Sequence, residues 1–204
     1  MHFVNPVIRG ERFFRDLRLL RSAAMRIIAG AYKGRRIDPP DWAGLRPTSD
    51  KLRETLFNVL GARVQDARVL DGYAGTGAVG IEALSRGAAH VTFVDQDPRA
   101  IRLIERNLAR CGVMDRYSMI RARFEAAHAR LERSSFDIVF LDPPYGAAKL
   151  VDAVSAAEHM IGAESVLVVE HATRDASPSR QGALMRTREL KSGDSALAFY
   201  QRQP

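Results

Sequence analysis

Between residues 68 and 170, short apolar runs alternate with amphipathic helical patterns, and this alternation leaves few folds open. The strand-like runs are 68–71, 91–95, 117–121, 136–141 and 165–170, and helical patterns lie between them near 76–86, 98–110, 124–133 and 147–160. Helical crossovers join strands that run in the same direction and cover both faces of the sheet they form. The spacing therefore predicts an α/β fold of Rossmann-like type, a doubly wound and mostly parallel sheet. Two more strand-like runs, 184–190 and 195–201, flank the turn Lys191-Ser192-Gly193-Asp194 and predict an antiparallel hairpin that finishes the sheet. Asp97-Pro98 reads as a helix cap with proline in the first helical position, and Gly87 and Gly112 stand where helices should stop.

The front of the chain has another character. Residues 26–46 are basic and rich in Gly and Pro, and a helix is expected over 49–60, with Leu52, Leu56, Val59 and Leu60 on one face and Gly61 at its end. Net charge is +7, and its placement matters more than its size. Residues 1–53 hold twelve of the 31 Lys/Arg and five of the 24 Asp/Glu, so the whole excess sits in the first quarter of the chain. A basic segment on a neutral domain suits a polyanion, because each neutralised phosphate releases counterions. A solvated basic tail is the plainer alternative.

These observations divide the chain into residues 1–24, a basic subdomain at 25–61 for which RNA contact is the expectation, and an α/β domain at 62–204. Residues 1–24 place an Arg at every third position from Arg9 to Arg21 among Phe13, Phe14, Leu17 and Leu20. Three readings stay open for them: a basic helix touching RNA, an organelle transit peptide, or an extension upstream of a start at Met25. No apolar run approaches the roughly 18 residues of a membrane span, and a lone cysteine, Cys111, suits a reducing cytoplasm. The five histidines are scattered without metal-ligand spacing, so no metal is expected.

Three motifs carry chemistry. In Val69-Leu70-Asp71-Gly72-Tyr73-Ala74-Gly75-Thr76-Gly77-Ala78-Val79-Gly80 a strand ends in a carboxylate, a glycine-rich turn follows and a helix begins. Glycines let the backbone approach a ligand, and the helix start offers free N–H donors. The same stretch matches the dinucleotide pattern G-x-G-x-x-G, which alone is weak evidence. A carboxylate at the strand end would repel a pyrophosphate; Asp71 instead suits a cation such as the ammonium of a methionine moiety. Asp95, in Val94-Asp95-Gln96-Asp97, lies about 20 residues past the turn, where an acid can accept from ribose hydroxyls. Most specific is Ile138-Val139-Phe140-Leu141-Asp142-Pro143-Pro144-Tyr145, an apolar strand running directly into Asp-Pro-Pro-Tyr. An amine on a base is a poor nucleophile because its lone pair is delocalised into the ring. Two acceptors, the Asp142 carboxylate and the Pro143 carbonyl, would grip its N–H groups and aim that lone pair, while Tyr145 stacks on the base.

With these residues the chain resembles the bacterial 16S rRNA (guanine-N2)-methyltransferases, from Met25 to about Gln201. Asp71 to Gly77, Ile81 to Ala88, Asp142 to Tyr145 and Ser195 to Tyr200 contribute to the resemblance, but the segment Leu45 to Asn58, with its Arg46-Pro47-Thr48, is the more restricted signature. The resemblance implies a class I methyltransferase fold with a seven-stranded sheet, S-adenosyl-L-methionine as cofactor, and 16S rRNA of an assembling small ribosomal subunit as partner; separately, a monomer is expected. Asp71, Gly72, Gly75 and Gly77 would then line the methionine end of the cofactor and Asp95 the ribose, backbone groups and Phe124 would meet the adenine, and Tyr73, Thr76, Gln96 and Arg123 would be further cofactor contacts. Asp142, Pro143, Pro144 and Tyr145 would hold the target guanine, and Arg26, Lys33, Arg35, Arg36, Arg46, Thr48, Lys51 and Arg53 would contact RNA or the edge of the site. Many related enzymes place an acid after the third strand to meet the adenine amine; here the segment reads Ala122-Arg123-Phe124.

Three other functions compete. Asp-Pro-Pro-Tyr serves DNA adenine-N6 methylation equally well, although 204 residues leave little room for a region that reads duplex sequence. A catalytically inactive nucleic-acid-binding module would have no use for paired acceptors beside a cofactor turn. A nicotinamide-dependent dehydrogenase is disfavoured by Asp71 and by the lack of a proton-relay constellation.

Overall fold

The structure is a computed structural model, and it describes residues 25–42, 48–127, 131 and 136–203. The described residues open with two short antiparallel strands, β1 (Met25–Arg26) and β2 (Arg36–Ile37), with Met25 opposite Ile37. Helix α1 (Asp50–Leu60) follows, capped at its start by Ser49, whose hydroxyl accepts from the Leu52 N–H at 3.2 Å. Then the alternation takes over: β3 (Arg68–Gly72), α2 (Ala78–Ser85), β4 (His90–Asp95), α3 (Pro98–Arg110), β5 (Tyr117–Arg121), α4 (Phe124–Ala127), β6 (Phe136–Leu141), α5 (Ala147–Ala157) and β7 (Ile161–Ala172). A two-residue strand β8 (Arg180–Gln181) precedes the hairpin of β9 (Leu184–Ser192) and β10 (Ser195–Arg202).

The main sheet runs in the order β5-β4-β3-β6-β7-β10-β9-β8. Strands β3 to β7 pair in parallel, and β10 lies antiparallel to both β7 and β9. All seven expected strands are present. The eighth, β8, falls where the sequence shows no strand-like run; two residues on the outer edge of β9 are too short to show a period. Strand β7 is also longer than the apolar run 165–170, because its first residues, Gly162 to Glu164, face solvent and carry no hydrophobic pattern. Helix α4 is described only as far as Ala127, and the rest of the expected helix 124–133, apart from residue 131, lies outside the described residues.

Alternation along each strand sorts the core into two layers. Val69, Ile138, Phe140, Val168, Leu197 and Phe199 face one side with Leu56 of α1, Ile81 of α2 and Ile104 of α3. Their neighbours Leu70, Val139, Leu141, Leu167, Val169, Ala198 and Tyr200 face the other with Phe124, Leu150 and Val154. Period-2 side chains filling both faces explain why the central strands read as continuous apolar runs. The front segment shares the first layer: Met25, Ile27 and Ile37 are buried in it beside Leu52 and Phe57.

Glu82 of α2 holds that segment down. Its side chain is fully buried and accepts from the N–H groups of Ile28 (2.8 Å) and Ala29 (3.0 Å) and from Arg86 Nε (2.7 Å). Ser85 adds a bond from the Tyr32 N–H at 2.9 Å. The turn between β1 and β2 thus packs on the C-terminal end of α2. From there the chain rises along α3: the Asp38 N–H donates to Asn107 Oδ1, and the Asn107 amide donates on to the Thr76 carbonyl at 2.9 Å.

Candidate active site

The strand order reverses between β3 and β6, and open α/β sheets bind ligands outside the carboxyl ends of the strands at such a switch point. A cleft of about 650 Å³ lies there, within the range of roughly 300–1,000 Å³ usual for ligand sites.

The floor of the cleft is the turn after β3. Tyr73 adopts φ 60°, a left-handed value uncommon for a residue with a large side chain, and its ring packs against Phe124 with centroids 5.3 Å apart. The Tyr73 hydroxyl donates to Glu125 Oε1 at 2.8 Å. Gly77, at φ 76°, turns the chain into α2, and Gly80 lets that helix press on β4, since a methyl at Gly80 would meet Phe93 Cε1 at 2.2 Å. Asp71 is buried at the end of β3 and accepts from the Gly80 N–H at 2.8 Å. Burial, outweighing that bond, pushes its carboxyl up to about 8. On β4, Asp95 accepts from the N–H groups of Gly75 (2.9 Å) and Asp97 (2.8 Å), one on each oxygen; burial again raises its pKa. Asp97 caps α3 by accepting from the Arg99 N–H at 2.8 Å, as its place before Pro98 predicts, and Asp95 lines the cleft.

Across the switch point, Asp142, Pro143, Pro144 and Tyr145 enter the same cleft from the end of β6, with Tyr145 46% exposed. Burial, with Glu170 and Asp71 nearby, holds the Asp142 carboxyl well above the usual carboxylate range. Glu170 is buried in β7 and accepts from the Thr48 hydroxyl at 3.0 Å, and Thr48 itself lines the cleft.

Most of the expected cofactor-site residues converge. Asp71, Tyr73, Gly75, Thr76, Asp95, Gln96, Arg123 and Phe124 line the cleft, while Gly72 and Gly77 shape the backbone behind it. The basic residues divide differently. Arg53 does not reach the surface: its side chain is fully buried and donates to the Arg26 carbonyl at 2.7 Å and to Asp50 at 2.8 Å, which removes it from any RNA face. Arg35 is exposed, but its guanidinium donates to the Cys111 carbonyl and stacks on Tyr32 at 5.0 Å, closing the C-terminal end of α3 far from the cleft. Arg26, Lys33, Arg36 and Lys51 are exposed and line no part of the cleft; Arg46 lies outside the described residues.

Three contributors went unseen in the sequence. Trp42 lines the cleft with the Arg99 guanidinium 5.0 Å over its ring, and Arg99 in turn pairs with Asp97 at 2.7 Å. Its being the sole tryptophan, in a basic Gly/Pro-rich stretch, was the available signal. Glu125 supplies an acid one turn beyond the position where Ala122 stands, and Glu170 is a charged residue inside an apolar strand.

Strand order, a glycine turn on the first parallel strand and Asp-Pro-Pro-Tyr on the fourth together define the class, a Rossmann-like methyltransferase. The chain belongs to the family described as "Conserved hypothetical protein 95", whose pattern it matches over residues 25–201. It is 36% identical over 183 residues to "Putative rRNA methyltransferase YlbH" of Bacillus subtilis, covering 88% of this chain and 100% of that one. It is 34% identical over 195 residues to "Ribosomal RNA small subunit methyltransferase D" of Escherichia coli, covering 89% and 92%. The solved structure of "Putative methyltransferase yhhF" from Escherichia coli superposes with a TM-score of 0.75 at 34% identity, over 89% of this chain and 99% of that one.

Proposed function

We propose that this protein transfers a methyl group from S-adenosyl-L-methionine to the exocyclic N2 amine of a guanine in 16S rRNA of the small ribosomal subunit. The observation that carries the proposal is a single cleft holding both halves of the chemistry: the acidic glycine turn of β3 and β4, and Asp142 to Tyr145 at the end of β6. The donor set fits the cofactor. Asp71 is a buried carboxylate able to meet an ammonium, both Asp95 oxygens are fixed by backbone N–H groups and keep lone pairs for ribose hydroxyls, and Phe124, Tyr73 and Glu125 form a wall for the adenine. Bound there, S-adenosyl-L-methionine would supply an electrophilic methyl whose bonding electrons stay with sulfur.

The residues of the chain do the rest by position and charge. Tyr145, exposed at the rim, stacks on the base. The Asp142 carboxylate and the Pro143 carbonyl accept the two amine hydrogens, and Asp142 takes the proton that leaves as the new N–C bond forms. A carboxyl held above its usual range is the better proton acceptor once ionised. The rigid Pro143-Pro144 step keeps both acceptors in place without loss of entropy on binding.

Support for RNA comes from two directions. The Escherichia coli relative is named for small-subunit ribosomal RNA, and the positive excess of this chain lies in its first 53 residues. Arg26, Lys33, Arg36 and Lys51 are exposed cations of the kind that meets phosphates, with Arg46 a further candidate. The test is methyl transfer from labelled S-adenosyl-L-methionine to small-subunit particles, naked rRNA and duplex DNA in parallel, followed by nucleoside analysis. N2-methylguanosine in RNA is the expected product; N6-methyladenine in DNA would leave the chemistry standing and overturn the substrate.

A further inference from the structure

Thr48 stands between two very different neighbours. On one side its hydroxyl donates to Glu170 Oε2; on the other it borders the cleft beside Asp142. Strand register explains the closeness. Leu141 of β6 stands opposite Val169 of β7, so the next residues, Asp142 and Glu170, emerge side by side at the carboxyl ends of adjacent strands. Their carboxyls are near enough to repel each other.

A threonine hydroxyl has one proton to give. With that proton committed to a buried carboxylate, what Thr48 can offer the cleft is a lone pair. The residue is therefore an oriented acceptor next to the acceptors that grip the amine. Three bases carry an exocyclic amine, and they differ in the ring atom beside it. Adenine presents a bare N1 beside its N6 amine, and cytosine a bare N3 beside its N4 amine. Guanine presents N1–H, a donor, beside its N2 amine.

Resting on the methyl-transfer reading above, we infer that Thr48, oriented by Glu170, selects guanine by accepting the hydrogen bond of its N1–H. An adenine or cytosine in the same pose would set lone pair against lone pair, and the buried acceptor would go unmatched. Thr48 is the residue that touches the base, and Glu170 positions its proton.

The experiment uses RNA reassembled around a synthetic segment whose target position, first mapped with the unaltered enzyme, carries guanine, 2-aminopurine or 2,6-diaminopurine. Both analogues keep the 2-amine and lack N1–H. The unaltered enzyme should favour guanine by roughly tenfold or more in kcat/KM. Thr48→Val should collapse that ratio to within about threefold, Thr48→Ser should retain it, and Glu170→Gln should narrow it by freeing the hydroxyl proton. Affinity for S-adenosylhomocysteine, unchanged throughout, certifies that each variant is folded. Changes caused by the missing O6 of 2-aminopurine cancel in the comparison between variant and unaltered enzyme. Equal losses on guanine and both analogues in Thr48→Val would overturn this inference alone, since a merely structural threonine cannot change a ratio. N6-methyladenine or N4-methylcytosine as the product of the unaltered enzyme would overturn both the inference and the guanine assignment.

Discussion

Asp142 is the residue on which turnover should depend most. Asp142→Ala is expected to lower kcat by about a hundredfold or more, the usual cost of losing a preorganised polar contact to a reacting centre, with S-adenosylhomocysteine affinity within about threefold of the original. Full activity in that variant would sink the mechanism. Asp71 leads to a different expectation, one about protons. Its folded pKa of about 8 lies above the ordinary value of 3.8, so between these pH values the folded chain holds a proton that the unfolded chain has lost. Stability from this group therefore falls as pH rises through that window and levels off above about 8. A cation docked on Asp71 reverses the preference and expels the proton at neutral pH. Calorimetry of S-adenosylhomocysteine binding at pH 7 should give heats that differ between phosphate and Tris buffers. The buffer dependence should shrink in Asp71→Asn; identical heats with the unaltered protein would refute the linkage.

Elements were more legible than contacts. The seven main strands, the hairpin and the caps Asp97 and Gly61 could all be placed from periodicity and turn chemistry, because each depends on neighbours a few residues away. Strand β8 and the 3-10 turn at Glu158–Met160 could not, since they are too short to show a period. The site shows the same division. Motif residues around β3, β4 and β6 were readable, whereas Arg53 looked like one more surface cation in a basic stretch and is buried by contacts 27 residues distant. Trp42 reaches the cleft, and Glu170 reaches the Thr48 that lines it, only through packing between remote segments, Thr48 with Glu170 spanning 122 residues. At this scale the close approach of α2 to β4 gives a further prediction. Gly80→Ala would drive a methyl into the Phe93 ring, a small-to-large change in a packed core that costs about 1–3 kcal/mol, measurable by urea denaturation. Unchanged stability would mean that the helix can shift away, and the turn that Asp71 fixes with it.

For the whole molecule, the front segment is part of the core as well as a carrier of charge. Deleting residues 25–42 would remove buried Met25, Ile27 and Ile37 and leave Glu82 without two of its three partners, so the expected result is an unfolded or aggregated chain. Exchanging exposed cations separates the two roles. The double change Lys33→Glu and Arg36→Glu should preserve the melting temperature within about 2 °C while weakening RNA binding and reducing its salt slope by about one for each phosphate no longer neutralised. An unchanged slope would take these residues off the RNA path. No helix among the described residues is long and apolar enough to cross a membrane. The clamp at Glu82 has one more consequence. It grips Ile28 and Ala29 by amide N–H groups, which every residue except proline possesses. Substitutions at 28 and 29 other than proline keep the donors that this grip uses. A lineage could therefore rewrite the outward face of this segment to follow drift in whatever surface it meets, while α2 keeps the same anchor unchanged.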